Sequence, residues 1–444
     1  MASYVFYSFW DWRFLSLILI STILDYICGI KIFESKNIKK RKLFLFFSIL
    51  GNLSILGFFK YFNFFAYNLQ LLLQSFGIHL HPLFLRIVLP VGISFYTFQT
   101  MSYTLDIYRR QLKPTKKILD FALFVAFFPQ LVAGPIERAK HLLPQMLAPR
   151  RLDLEKFYQG CYLIFWGIFM KVFVADNLAA LVDPVFKSQP PYNGLKVLIA
   201  LYAFAFQIFC DFAGYSNIAR GLGKCMGFDI MINFNLPYLS TNPSEFWQRW
   251  HISLSSWLRD YLYIPLGGNR KGNLTTYRNL AITMFLGGLW HGAAWTFITW
   301  GIYQGFLLII YKKIKPFLGK VRTPKSQSGI YISLFIRIIF FFNLTCLGWL
   351  FFRANSMSQA WYMFQGIILN FQFVPGTGIK YIFFYTVFYT FILIILQICQ
   401  YPRRDLLFIL NSNYLVRIFL YVICFYLLII YGVTTGNEFI YFQF

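Results

Sequence analysis

The sequence predicts an all-α polytopic membrane protein, and three observations carry that prediction. Hydrophobic residues make up 58% of the 444 residues and charged residues only 13%. Ordinary soluble domains carry about 25% charged residues, so this chain has too few to cover a water-exposed surface. Mean hydropathy is +0.57, and several apolar runs approach or exceed the ~20 residues a helix needs to cross the hydrocarbon core. Finally, the net charge of +25 is spread over loops between the apolar runs, where basic residues orient a membrane protein with those loops in the cytoplasm. A nucleic-acid surface would concentrate such charge instead, so no nucleic-acid partner is expected.

The elements follow in order. The run from Phe14 to Phe33 is the first span; it ends at Lys36, Lys39, Lys40, Arg41 and Lys42, which places the N-terminus outside. No basic segment precedes it, so it reads as a retained span and not as a cleaved signal. Residues 43–78 must make one net crossing, as a span plus an interfacial or tilted helix, because the next span (84–108) ends at another basic cluster, Arg109 to Lys117. The stretch from Phe121 to Arg138, interrupted by Pro129 and Gly134-Pro135, is too short to span and reads as re-entrant. Irregular backbone at membrane depth is tolerated only inside protein or beside a water-filled cavity, so a cavity is implied. Spans at 157–175 and 194–212, a segment at 279–311 that dips in and returns between basic flanks, and spans at 331–352, 381–401 and 413–432 complete the chain. The sum is about ten transmembrane segments, about eight crossings plus two re-entrant ones, with interfacial helices and the C-terminus outside. They form a single domain over 1–444, with a motif core at 207–301 and an outward-facing tail at 433–444. Seven cysteines show no CxxC spacing and read as buried hydrophobes, neither disulfides nor metal ligands.

The core holds two of the five histidines, His251 and His291, 40 residues apart. Asn242-Pro243 with Glu245 reads as N-cap, N1 and N3 of a helix running from Pro243 to about Tyr263. On it Trp250, Leu254, Trp257 and Tyr261 form an apolar stripe, which suggests an interfacial helix on the cytoplasmic surface with His251 at that interface. His291 sits in LGGLWHGAAW, bracketed by small residues that let helices or a ligand approach closely. An ionisable side chain at membrane depth is costly and marks a site by default, and a neutral imidazole suits general-base work near neutral pH. This reading separates the two: His251 near an entry on the cytoplasmic side, His291 deeper. The loop Gly267 to Gly272, with Arg270 and Lys271, is a candidate anion cradle or a turn.

DFAGYSNIARGLGKCMGF (211–228), FNLPYLS (234–240), FWQRWHISLSSWLRDYLYIPLGGNRKG (246–272), LGGLWHGAAWTFITWG (286–301) and LVAGPIER (131–138) resemble the membrane-bound O-acyltransferase (MBOAT) family. The similarity is to its branch that O-acetylates alginate and peptidoglycan. The resemblance implies interfacial helices around a central tunnel, in a bacterial inner membrane. It implies His291 as catalytic base and His251 as a second catalytic-site residue, with Asn242, Trp250, Arg270 and Lys271 as candidates to bind the donor. It further implies acetyl-CoA as donor substrate with no permanently bound cofactor or metal, an exported polysaccharide as acceptor, and a periplasmic or extracellular acyltransferase as partner. The terminal F-x-Y-x-x-F of Phe439, Tyr441 and Phe444 is similar to the tail of the small companion protein of D-alanylation systems, which makes Tyr441 a candidate acyl relay. Two alternatives stay open: D-alanyl transfer to teichoic acid from a carrier protein, and a transporter without enzymatic activity.

Overall fold

The computed structural model describes residues 1–79, 84–132, 134–151, 153–318, 326–372, 376–434 and 439–440. Among them every regular element is helical. Seven helices are long and apolar enough to cross a membrane: Ala2–Glu34, Ile38–Ser75, Leu154–Lys187, Gly194–Cys225, Gln327–Arg353, Thr377–Arg403 and Tyr414–Tyr431. Each overlaps a span expected from hydropathy. The crossing expected at 43–78 is one helix that continues through a π-turn at Gly57–Tyr61.

The run at 84–108 differs from expectation. Its helix starts only at Ile93 and ends at Tyr108, 16 residues or about 24 Å, shorter than the ~30 Å hydrocarbon core. Pro90 lacks an N–H, and Gly92 caps the helix with a left-handed φ of 76°; a Cβ there would meet the Leu131 carbonyl. The stretch expected to be re-entrant, Phe121 to Arg138, holds among its described residues only the end of helix Ile118–Val125 and the short helix Phe128–Leu131, broken near Pro129 and Gly134-Pro135.

Two compact units account for the packing. The first comprises residues 1–160, 222–231 and 292–294. Its helices Leu15–Glu34, Ile38–Leu56 and Ile93–Tyr108 pack on one another around a buried polar knot. There Asp25 accepts hydrogen bonds from Ser48 (2.6 Å) and Asn52 (2.8 Å), Ser21 donates to Asn52 (2.6 Å), and the Ser48 and Thr104 hydroxyls lie 2.8 Å apart. In the same unit the carboxylate of Glu137, fully buried, accepts from the Met231 N–H (2.6 Å) and pairs with His141 (2.8 Å); that partner holds the His141 imidazole above its ordinary pKa.

The second unit comprises residues 161–221, 232–291 and 295–444. Its centre is the hairpin of Gly272–His291 and Trp295–Leu318. The two helices cross glycine on glycine: a Cβ on Gly288 would lie 2.9 Å from the Gly301 Cα. The segment expected to dip and return is this hairpin, and the close crossing brings the end that carries His291 against the wall supplied by Trp300.

Candidate active site

The Pro243–Tyr263 helix expected from the sequence is in fact two. Pro243–Arg249 ends at Trp250, and Ile252–Leu258 begins after His251, which takes the left-handed conformation at φ 41°, ψ 54°. A non-glycine residue there costs roughly 1–3 kcal/mol and persists only where surroundings hold it. The segment at Asn233–Asn235 supplies that hold. The Asn235 N–H donates to the Arg249 carbonyl (2.9 Å), and the Ile252 N–H donates to the Asn233 carbonyl (2.9 Å). The Asn233 side chain then caps the second helix, accepting from the Ser253 N–H (3.2 Å) and hydroxyl (2.8 Å). The predicted N-terminal cap is present: the Asn242 side chain accepts from the Glu245 N–H at 2.9 Å, while Glu245 reaches back to the Thr241 N–H at 2.9 Å.

This break moves His251 from the expected interface to the interior, where it is 0% exposed. The apolar stripe of Trp250, Leu254, Trp257 and Tyr261 is buried as well, so it packs in the protein and does not lie on a membrane surface. His251 Nδ1 is 3.2 Å from Asn233 Oδ1. The Ser253 backbone N–H, which can only donate, bonds the same Asn233 oxygen at 3.2 Å, which fixes the amide orientation and assigns the oxygen to the histidine. Nδ1 therefore carries the proton and Nε2 the lone pair. Burial pushes the imidazole down to about 3, so the ring is neutral at physiological pH.

The expected separation of the two histidines is also corrected. Their ring centroids are 6.5 Å apart. His291, 3% exposed, closes the C-terminal end of the Gly272–His291 helix. Trp300 meets it edge to face at 4.9 Å, Trp290 at 5.1 Å and Phe352 at 5.4 Å. On the far side of His251, Phe212 is 4.6 Å away and perpendicular. The two imidazoles thus lie among shared aromatic side chains, Trp290 meeting both, and low polarity there strengthens electrostatic interactions with any charge that develops during a reaction.

The other sequence candidates lie elsewhere in the fold. Asn242 is committed to its cap. Trp250, 0% exposed, is packed among Phe246 (5.6 Å), Trp349 (4.9 Å) and Phe234 (5.0 Å). Arg270 and Lys271 are exposed on a turn whose amides are used internally: Gly267 donates to Ile264, Gly268 to Tyr263 and Arg270 to Gly267. The turn's glycines 267, 268 and 272 have positive φ, which is what the tight reversal needs. Tyr441 lies outside the described residues. Sequence reasoning missed Asn233, the Phe212 and Trp300 walls, and a buried ion cluster in which Lys171 pairs with Asp176 (2.8 Å) and Asp211 (2.6 Å). Only the last had a sequence signal, charges inside apolar runs.

The family model for MBOAT, the membrane-bound O-acyltransferase family, matches residues 5–352. A probable alginate O-acetylase AlgI of Pseudomonas aeruginosa is 44% identical over 370 residues, 83% of this chain and 68% of that protein. A peptidoglycan O-acetyltransferase of Helicobacter pylori is 34% identical over 394 residues, 83% of this chain and 72% of its own. A teichoic acid D-alanyltransferase of Streptococcus thermophilus is 31% identical over 295 residues, 61% of this chain and 70% of its own. These matches set aside the reading as a transporter. With seven helices able to cross a membrane and the family match over most of its length, this chain belongs to the membrane-bound O-acyltransferase family and is a multi-pass membrane enzyme that transfers acyl groups to oxygen.

Proposed function

We propose that this enzyme takes an acetyl group from cytoplasmic acetyl-CoA and passes it across a bacterial inner membrane for O-acetylation of an exported polysaccharide of the alginate or peptidoglycan kind. A periplasmic acyltransferase would complete the transfer. The observation that carries the reading is the pair of buried imidazoles 6.5 Å apart, on the two motifs that resemble the acetylating branch. In the chemistry, a neutral imidazole of His291 takes the proton from an acceptor hydroxyl as its oxygen attacks the thioester carbonyl. The C–S bond then breaks and the thiolate leaves with a proton. A base of this kind typically contributes about 10²–10⁴ in rate. His251, oriented by Asn233, holds a second lone pair among the same aromatic side chains.

Tyr441 is the proposed relay. A phenol has an ordinary pKa near about 10 and needs a base to become a nucleophile. Support comes from its neighbours: Phe439 and Ile440 are 1% and 4% exposed, and Phe439 packs on Phe212 at 5.6 Å, the ring that also faces His251. The basic clusters after the apolar runs support an outside location for both termini, on the side of an exported acceptor.

Feeding labelled acetate to cells with and without the gene, followed by mass spectrometry of surface glycans, tests the reading. Label on the glycan that depends on the gene is the expected result. The 31% identity to a D-alanyltransferase makes D-alanyl transfer the second reading, and a D-alanyl ester in place of acetyl would establish it over the first.

A further inference from the structure

We infer that Asp211, held by Lys171, is an internal dock for the chain's own segment at Phe439 and Ile440 and fixes that segment beside Phe212, the ring that faces His251. Four contacts carry the inference. The Ile440 N–H donates to Asp211 Oδ2 at 2.7 Å. The other carboxylate oxygen of Asp211 lies 2.6 Å from Lys171 Nζ, which also bonds Asp176 at 2.8 Å. The Phe439 ring sits 4.5 Å from that of Tyr215, one helical turn beyond Asp211. The Lys171 ammonium lies 5.7 Å from the centroid of the same tyrosine ring. Asp211 is 3% exposed, Asp176 3% and Lys171 8%.

The charge count explains why the site accepts a backbone N–H. Two carboxylates face one ammonium, so the cluster offers more acceptor oxygens than that ammonium alone bonds in a nonpolar interior. Buried carboxylates are stable only when donors satisfy them. The terminal segment supplies such a donor, and a charge-assisted bond to it is stronger than one between neutral groups. Asp211 is thereby a positioning residue. Ile440 is held next to Phe439, whose ring packs on Phe212, a placement that suits the proposed relay.

The test does not depend on acyl transfer. The full-length protein in detergent or nanodiscs is treated with carboxypeptidase, and intact mass gives the residues lost. In the wild type, trimming should stop no further than Ile440. Asp211→Leu leaves Lys171 and Asp176 as a balanced pair, so it should melt within a few degrees of wild type, yet lose Ile440 and Phe439 about 10- to 100-fold faster, the effect of losing a bond to a charged group. Ile440→Pro removes the donated N–H without touching the cluster and should give the same release, which keeps the test valid if Asp211→Leu fails to fold. Protection that is unchanged in Ile440→Pro and in folded Asp211→Leu overturns the dock and leaves the acetyl-transfer reading standing.

Discussion

Two buried clusters in this protein solve the problem of polarity in an apolar interior in opposite ways. In the first unit Asp25, Ser48, Asn52, Ser21 and Thr104 satisfy one another with short hydrogen bonds, and the result is a closed knot that ties three helices. In the second unit His251 and His291 lie 6.5 Å apart among aromatic rings, and Asn233 orients His251. Side chains that bind each other completely have nothing left for a substrate. A neutral imidazole set among aromatic edges is a group suited to proton transfer. The comparison teaches that an ionisable group marks chemistry by its kind and its surroundings, not by burial alone.

Substitutions can break this contrast from either side. The largest effect belongs to the histidine pair: His291→Ala should lower acyl transfer by about 10²–10⁴ while thermal unfolding stays within a few degrees of wild type, both read on purified protein. Next comes the knot. Asp25→Leu takes the acceptor from one N–H of the Asn52 amide and leaves the Ser48 hydroxyl only Thr104 to bond, and an orphaned buried group costs about 1–3 kcal/mol. Denaturation should register that loss, whereas turnover per folded molecule should stay near wild type; a knot variant that kept its stability but lost turnover would erase the distinction. The smallest effect is expected from Asn233→Ala. It removes a hydrogen bond of about 0.5–1.5 kcal/mol to His251 along with the Ser253 cap, so the rate per folded molecule should fall roughly 2- to 10-fold, and Asn233→Asp, which keeps an acceptor oxygen, should recover part of it.

Much of the fold was legible because membrane helices write themselves in long apolar runs. The spans around 14–33, 331–352 and 413–432 needed only length and hydropathy, and the structure places Leu15–Glu34, Gln327–Arg353 and Tyr414–Tyr431 there. The helix at Ile93–Tyr108 was less legible, since Pro90 and Gly92 end an apolar run that hydropathy alone extends. The break at His251 left no local trace. Trp250, Leu254, Trp257 and Tyr261 keep helical spacing across it, and the bonds that force the left-handed turn come from Asn233, 18 residues upstream. For the same reason the sequence put His251 on a surface: an aromatic stripe with arginines beside it has one pattern whether it faces headgroups or other aromatic side chains. The pairing of His251 with His291 was not visible either, because 40 residues of sequence say nothing about a helix hairpin that folds back through the contact of Gly288 with Gly301.

That pairing is the central claim, and a double-mutant cycle tests it most directly. Acyl-transfer rates are measured for wild type, His251→Ala, His291→Ala and the double variant, each confirmed folded by its melting curve. Groups that act as one unit are strongly non-additive, so the double variant should be little slower than His291→Ala alone. Losses that multiply, with the double variant slower by the product of the two single effects, would mean that the two imidazoles work independently and do not form a single site.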